Sequence, residues 1–316
     1  MSPVREQRPR LRKPPWLKRR IPGGATYHEV HRILQSSQLH TVCQEALCPN
    51  LGECFSRGTA TFLILGDRCT RNCRFCAVAH GPVGPPDPEE PGRVGEAVEK
   101  MGLRFVVITS VTRDDLPDGG AGIFAQTITE IRRRVPGVRV EVLVPDFGGS
   151  DRALTTVVRA RPNVLNHNLE TISRLYPEVR PGADYRKSLH LLARARKLAP
   201  DIPTKSGLML GLGESPEELR QVFGDLVEAG CRILTLGQYL QPSADHLPVV
   251  RYLPPEEFER WREVALEMGF HQAASGPFVR SSYSAGELYK ACKPNRDLGE
   301  VGSGEGIHQR EGTLSR

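Results

Sequence analysis

The chain has 316 residues, 39% of them hydrophobic and 25% charged, enough to bury one large core, either a single barrel-like domain with extensions or two ordinary domains. No apolar run approaches the ~20 residues that a membrane-spanning helix needs, so a soluble, cytoplasmic protein is expected. The net charge of +6 is unevenly placed: residues 1–24 carry Arg5, Arg8, Arg10, Arg12, Lys13, Lys18, Arg19 and Arg20 against Glu6 alone, a local +7 that leaves the remainder at −1.

That basic arm is poor in Ser and broken by Pro14, Pro15 and Pro22, which argues against an amphipathic transit helix. No zinc-finger, helix-turn-helix or interleaved aromatic pattern follows it to read bases. A solvated tail and a docking strip for an acidic protein both stay open.

Next along the chain, six of the eight cysteines fall into two triplets, Cys43-x4-Cys48-x5-Cys54 and Cys69-x3-Cys73-x2-Cys76. Thiolates at such short spacings on irregular backbone suit an iron–sulfur cluster, which takes four ligands when the protein supplies them all. A group of three therefore leaves one iron for a substrate or cofactor, or finds its fourth ligand elsewhere in the chain. Zinc is the competing metal, with His80 or His40 completing a site, although only Cys73 and Cys76 form the paired C-x2-C unit that zinc favours. Disulfides fit poorly, because no apolar signal segment is present and a chain of this length needs no staples. Cys231, heading an apolar run, reads as a small buried hydrophobe, and Cys292, in a polar tail, has no evident role.

Between the triplets, Thr61-Phe62-Leu63-Ile64-Leu65 reads as a buried strand, which puts the second triplet on a strand-end loop. A strand-then-helix rhythm follows. The strand Phe105 to Thr109 precedes a helix around Ile123 to Arg134, and Val138 to Val144 leads into a helix near Arg152 to Arg159. Asn163 to His167 is followed by a helix from about Tyr185 to Leu198. After Gly207 to Leu210 comes a helix with a marked start, Ser215 as N-cap, Pro216 at N1 and Glu218 at N3, and with Gly230 at its end. Ile233 to Leu236 precedes a helix from about Pro255 to Met268. Six strands with helical crossovers argue for an α/β fold with a parallel sheet, open or curved toward a barrel, whose ligands sit at the carboxyl ends of the strands. Polar residues collect at those ends: Ser110 and Thr112, Asp146, Asn168 and Glu170, Gly211 to Glu214, and Gln238 with Gln241. Turn and capping residues gather at strand ends in any fold, so each of these alone says little.

The Cys69–Cys76 motif, with Phe75 just before its last cysteine, resembles the cluster motif of radical S-adenosylmethionine (SAM) enzymes. The two triplets in this order, together with Arg280-Ser281-Ser282-Tyr283, are similar to the lipoyl synthase family of that superfamily. Further matching stretches are Lys13 to Leu17, Val111-Thr112-Arg113-Asp114-Asp115-Leu116, Asn166 to Thr171 and Lys205 to Met209, so the likeness runs from about Lys13 to Tyr289. Placement of the additional triplet before the radical-generating one, with the Arg-Ser-Ser-Tyr stretch, favours this family over other sulfur-inserting radical SAM enzymes such as biotin synthase or a methylthiotransferase. A non-enzymatic alternative is a zinc-stabilised module that binds nucleic acid through its basic arm.

The resemblance implies a partial (β/α)6 barrel of the radical SAM type over residues 58–270. An N-terminal extension, 1–57, would carry the basic arm and the auxiliary cysteines, and a C-terminal one, 271–316, the serine ligand and a loose tail past Lys290. It implies two 4Fe-4S clusters. Cys69, Cys73 and Cys76 would hold the one that passes an electron to SAM to give methionine and a 5′-deoxyadenosyl radical. Cys43, Cys48, Cys54 and Ser282 would hold an auxiliary cluster that donates sulfur, the serine oxygen being a weaker partner that suits a cluster meant to come apart. Asp118, Gly119 and Gly120 would form the turn that receives the methionyl amine, Asn168 and Glu170 would contact SAM, and Arg280 would lie near the auxiliary cluster. The implied reaction inserts two sulfur atoms at C6 and C8 of a protein-bound octanoyl group. The implied partners are octanoylated lipoyl carrier domains (2-oxoacid dehydrogenase E2 subunits and the glycine cleavage H protein), an electron donor such as flavodoxin or ferredoxin, and an iron–sulfur cluster carrier, with neither nucleic acid nor membrane.

Overall fold

A computed structural model describes residues 11–18 and 23–292. Most of the basic arm, including Arg5, Arg8, Arg10, Arg19 and Arg20, and the tail after Cys292 lie outside the described residues. The N-terminal part contains helices α1 (Ala25–Ser36), α2 (Val42–Glu45) and α3 (Leu51–Ser56) and the short strand β1 (His40–Thr41). Strand β2 (Thr61–Ile64) follows, then the two-residue strands β3 (Arg68–Cys69) and β4 (Ala79–His80), and α4 (Glu90–Lys100). The repeating units are β5 (Phe105–Ser110), α5 (Ala121–Arg134), β6 (Arg139–Leu143), α6 (Asp151–Arg159), β7 (Val164–Asn166), α7 (Tyr176–Val179), α8 (Tyr185–Leu198), β8 (Thr204–Leu210), α9 (Pro216–Glu228), β9 (Ile233–Gln238) and α10 (Pro255–Glu267). The described chain closes with β10 (Gln272–Gly276) and α11 (Ala285–Cys292).

The main sheet runs β1-β2-β5-β6-β7-β8-β9-β10, parallel throughout except for β1, which pairs antiparallel with β2. Its two edges, β1 and β10, do not pair, so it is an open, partial barrel with extensions at both ends. The six strands read from the sequence form its centre. Beyond them the structure adds β10, whose Ala-Ala-Ser-Gly composition carries no strand signal and which is ordered by parallel pairing along the whole of β9. The crossover helix between β2 and β5 is α4. Its apolar Val94, Ala97 and Val98 are fully buried at helical spacing behind the Pro-rich stretch that disguised its start.

Two features position the mouth at the carboxyl ends. Leu65, just past β2, holds φ at +70°, a conformation that side chains rarely adopt. The buried Glu90 carboxylate fixes it by accepting from the Leu65 N–H at 2.8 Å, turning the chain into the cysteine loop. At the opposite end, α11 covers the sheet where its strands begin. Tyr289 meets the Phe105 ring at 5.9 Å, lies under the Arg139 guanidinium at 5.3 Å and receives a hydrogen bond from Asn163 at 3.4 Å. Phe105 and Arg139 each open a strand, and Asn163 immediately precedes β7. Cys292, read as part of a polar tail, is the last residue of this helix, and Cys231 is buried as expected.

Between these ends lies a buried ion pair. Lys205 Nζ of β8 donates to Glu141 Oε1 of β6 at 2.9 Å across β7, and Asn166 Nδ2 reaches the same oxygen at 3.3 Å. Neither charge is measurably exposed, at 0% and 1%. Removing one partner strands the other charge in a dry interior, which costs about 3–5 kcal/mol, whereas replacing both with apolar groups is far milder. Lys205→Met is expected to lower the urea-unfolding free energy of the metal-free protein by about that amount, and Glu141→Leu with Lys205→Met to restore most of it. A single variant as stable as the parent would show that the pair does not hold the sheet.

Candidate active site

The second triplet lies on the loop between β2 and α4, and its backbone is tied down on every side. Thr70 donates from N–H and hydroxyl to the Thr112 carbonyl at 3.0 and 2.9 Å. Arg74 N–H donates to the Val179 carbonyl at 3.0 Å, and Leu247 N–H to the Arg74 carbonyl at 3.1 Å. His246 Nε2 sits 2.9 Å from the Cys76 carbonyl. The strongest tie is Arg71, which grips Asp114 through Nε and Nη2 and Asp146 through Nη1 and Nη2, at 2.6 to 2.8 Å. Burial works against the Asp146 charge, but the hydrogen bonds from Arg71 prevail and hold its carboxyl below the usual range. Planar, bidentate contacts of this kind are specific to arginine.

The sulfur atoms sit in a half-buried, charged pocket. Cys69 Sγ accepts from the N–H groups of Arg71 and Thr112 at 3.4 and 3.3 Å. Burial pushes the Cys76 thiol up to about 12, with Cys73, Cys69 and Glu170 adding to the rise. Burial also raises Cys73, and the nearby Arg180 guanidinium opposes that rise. Arg180 is anchored by donating to the carbonyls of Asn168 and Leu169 at 2.9 and 3.2 Å and to the Tyr176 hydroxyl at 3.0 Å, with its guanidinium over the Tyr176 ring. Nothing in the sequence pattern singled out Arg180, which lies 104 residues from Cys76 on a separate loop.

Beside this pocket are Asn168 and Glu170. Asn168 Nδ2 donates to Glu170 Oε1 at 3.0 Å, while Asn168 Oδ1 and the Ser110 hydroxyl are buried without partners. Glu170 takes a left-handed backbone, φ +66°, stitched into the sheet by its N–H to the Gly207 carbonyl and its carbonyl to the Met209 N–H. Strain of this kind in a bulky residue marks a position fixed by its surroundings. The Asp118 carboxylate accepts from the N–H groups of Gly120 and Gly122 at 2.9 and 2.8 Å, capping α5. Gly119 and Gly120 both have positive φ, and a Cβ on Gly120 would strike Leu65 at 2.2 Å. Gln238 is fully occupied in stapling backbone, donating to the carbonyls of Leu210 and Arg251 and accepting from Leu253 N–H, and Glu214 likewise caps Gly211 and Leu212.

The first triplet forms a second thiol group around α2 and α3. Burial pushes Cys43 up to about 12 and Cys54 to about 11, and in each case Cys48 is the next contributor. The segment after β10 returns to this group. Asn50 Nδ2 donates to the Phe278 carbonyl at 2.6 Å, and the Tyr283 hydroxyl donates to Glu53 Oε1 at 3.0 Å. Arg280 lies over Gly237 and within electrostatic reach of Glu170. Among the described residues no three His, Cys, Asp or Glu converge on a single metal ion; His40, one of the proposed zinc ligands, faces Glu45 at 3.0 Å.

The radical SAM superfamily model matches residues 63–226, and the model for the N-terminal domain of lipoyl synthases of that family matches residues 2–48. Lipoyl synthase from Desulfotalea psychrophila is 56% identical over 92% of this chain and 98% of its own, and that from Methylococcus capsulatus is 58% identical over 87% and 86%. The chain belongs to the lipoyl synthase family. Solved structures share the fold at low identity. The [FeFe]-hydrogenase maturase HydG superposes with a TM-score of 0.54 at 16% identity, over 85% of this chain and 67% of its own. Streptococcus suis SuiB bound to S-adenosylmethionine gives 0.52 at 12%, over 72% and 55%.

For a lipoyl synthase the residues present fit the implied groups. Each set brings three free cysteines together, and burial raises Cys43 and Cys54 in the first and Cys73 and Cys76 in the second, thiols that give up their protons when a metal binds. The unpartnered Ser110 hydroxyl and Asn168 Oδ1 offer hydrogen bonds to a polar ligand beside the second set. Arg71→Lys keeps the charge near the loop but loses the fork. We expect its reconstituted iron content to fall toward half of the parental value, with the loss confined to the Cys69–Cys76 set; parental iron at both sets would show that the clamp is dispensable.

Proposed function

We propose that this protein inserts two sulfur atoms at C6 and C8 of an octanoyl group carried on a lysine of a lipoyl domain, forming the lipoyl cofactor. Cys69, Cys73 and Cys76 hold one 4Fe-4S cluster, leaving an iron for SAM; Cys43, Cys48, Cys54 and Ser282 hold the auxiliary one. When bound, these clusters and SAM supply hydrogen abstraction from unactivated carbon and the sulfur itself, chemistry that protein side chains lack. The observation that carries the reading is the return of the 278–283 turn onto α3, which supports Ser282 as the oxygen that completes a set of three cysteines.

The chain's own residues bind and orient. Arg71, His246 and Thr70 hold the loop of the second triplet rigid, so that thiols and substrate keep one geometry through two successive abstractions. Arg180 contributes fixed positive charge beside Cys73, favouring the sulfur anion and an added electron. Asn168 and Glu170 are assigned to SAM's polar groups. Because the Asp118 carboxylate is spent on the start of α5, the contribution of Asp118, Gly119 and Gly120 falls to their backbone atoms. The +7 of residues 1–24 complements an acidic carrier domain, which serves as substrate; a small electron donor such as flavodoxin or ferredoxin and an iron–sulfur carrier complete the cycle. No described helix is long and apolar enough to cross a membrane, and we place the reaction in the cytoplasm.

Substitution separates the two triplets. Cys69→Ala, Cys73→Ala or Cys76→Ala is expected to abolish reductive SAM cleavage and product together. Cys48→Ala should retain SAM cleavage and yield no lipoyl product, and Ser282→Ala should bind less auxiliary iron while cleaving SAM. Both products are followed by mass spectrometry under anaerobic conditions; lipoyl product from Cys48→Ala would contradict the assignment of the sulfur donor.

A further inference from the structure

The turn 278–283 is gripped on its other side as well. Asn168 Nδ2, which bonds Glu170, also donates to Ser281 Oγ at 2.5 Å. Two glycines admit the turn to the sheet. A Cβ on Gly237 of β9 would lie 2.1 Å from the Val279 carbonyl oxygen and 2.9 Å from Arg280 Nη1. One on Gly207 of β8 would lie 2.7 Å from Thr235 Oγ1, 2.9 Å from Asn168 Oδ1 and 3.2 Å from Ser281 Oγ. Neither glycine has a positive φ, so what each contributes is close approach rather than backbone freedom. The turn thus spans from α3, beside the first triplet, to Asn168, beside the second.

We propose that Ser281 is a positioning residue: its hydroxyl, held by Asn168, sets the register of the turn that presents Ser282 and so fixes the auxiliary cluster relative to the SAM side of the mouth. This rests on the function proposed above, and in particular on Ser282 as a ligand and Asn168 as a SAM contact. Ser281 and Ser282 are adjacent in a tight segment, so a shift of one displaces the other. Because misplacement by about 1 Å can cost about 10²-fold in rate, a lost Asn168–Ser281 bond should be felt at sulfur insertion. SAM cleavage, which depends on the second triplet, should be spared. Ser281 therefore links two half-reactions without taking part in either.

The test uses the full-length chain with Ser281→Ala, and with Gly207→Ala as a second variant that wedges Asn168 and Ser281 apart without deleting a polar group. In metal-free protein, amide hydrogen exchange over residues 278–284 is expected to quicken about tenfold in both variants. In reconstituted Ser281→Ala protein, SAM cleavage should stay within about twofold of the parent while 5′-deoxyadenosine released per lipoyl product rises about tenfold. A parental ratio and parental exchange in Ser281→Ala would overturn the inference alone. Equal loss of cleavage and product would overturn it too, since general destabilisation lowers both together. A parental enzyme that cleaves SAM but never forms lipoyl product would overturn the proposed function and this inference with it.

Discussion

Burial of cysteine thiols, Cys43, Cys54, Cys73 and Cys76 among them, is the constraint on which the rest of this structure depends. Burial, with neighbouring cysteines adding to it, lifts Cys43 and Cys76 to about 12 and Cys54 to about 11, so these three thiols resist losing their protons in the metal-free protein. A thiolate, which is the form that binds iron, becomes stable there only when positive charge arrives with it. The loops that carry these thiols are ordered by other contacts. Around the second triplet these are the double fork of Arg71 and backbone bonds to three neighbouring loops. Around the first they are the contacts of Asn50 and Glu53 with the returning C-terminal segment.

From that constraint follows the placement of strain and charge at one end of the sheet. Leu65 and Glu170 adopt left-handed backbones at the ends of β2 and just beyond β7, each fixed by hydrogen bonds rather than by glycine. Arg180 is buried among Cys73, Glu170 and Asp146, and its charge is repaid by carbonyl and hydroxyl acceptors. The far end of the sheet is covered by α11, and the Lys205–Glu141 pair is buried between the two ends. The 278–283 turn links the carboxyl end of the sheet, through Asn168, to the segment around α3 that carries the first cysteine group.

Much of this was legible in the residues. Period and capping located the six central strands and most helices, because a buried parallel strand must be a short apolar run and a helix must satisfy its first N–H groups; Ser215 with Glu218 forms the expected capping box. The cysteine spacing marked both thiol groups. What the sequence hid was set by long-range contact. Strand β10 is strand only because β9 offers an edge, α4 lies behind prolines, and Ser281 and Asn50 acquire their roles from partners 113 and 228 residues away, for which local pattern carries no signal. Gln238, read as a residue of the mouth, proved to be a backbone staple, since a polar side chain at a strand end serves the turn unless space is left for a ligand.

In the proposed function the first triplet stores the sulfur that appears in product. The most direct measurement is a single anaerobic turnover of an octanoylated lysine peptide by protein whose clusters were assembled with heavy-isotope sulfide, followed by mass analysis of the peptide. The parental chain is expected to give a product carrying two heavy sulfur atoms, and Cys43→Ala protein assembled in the same way no sulfurated product. Product bearing unlabelled sulfur, or labelled product from the Cys43→Ala chain, would contradict that assignment.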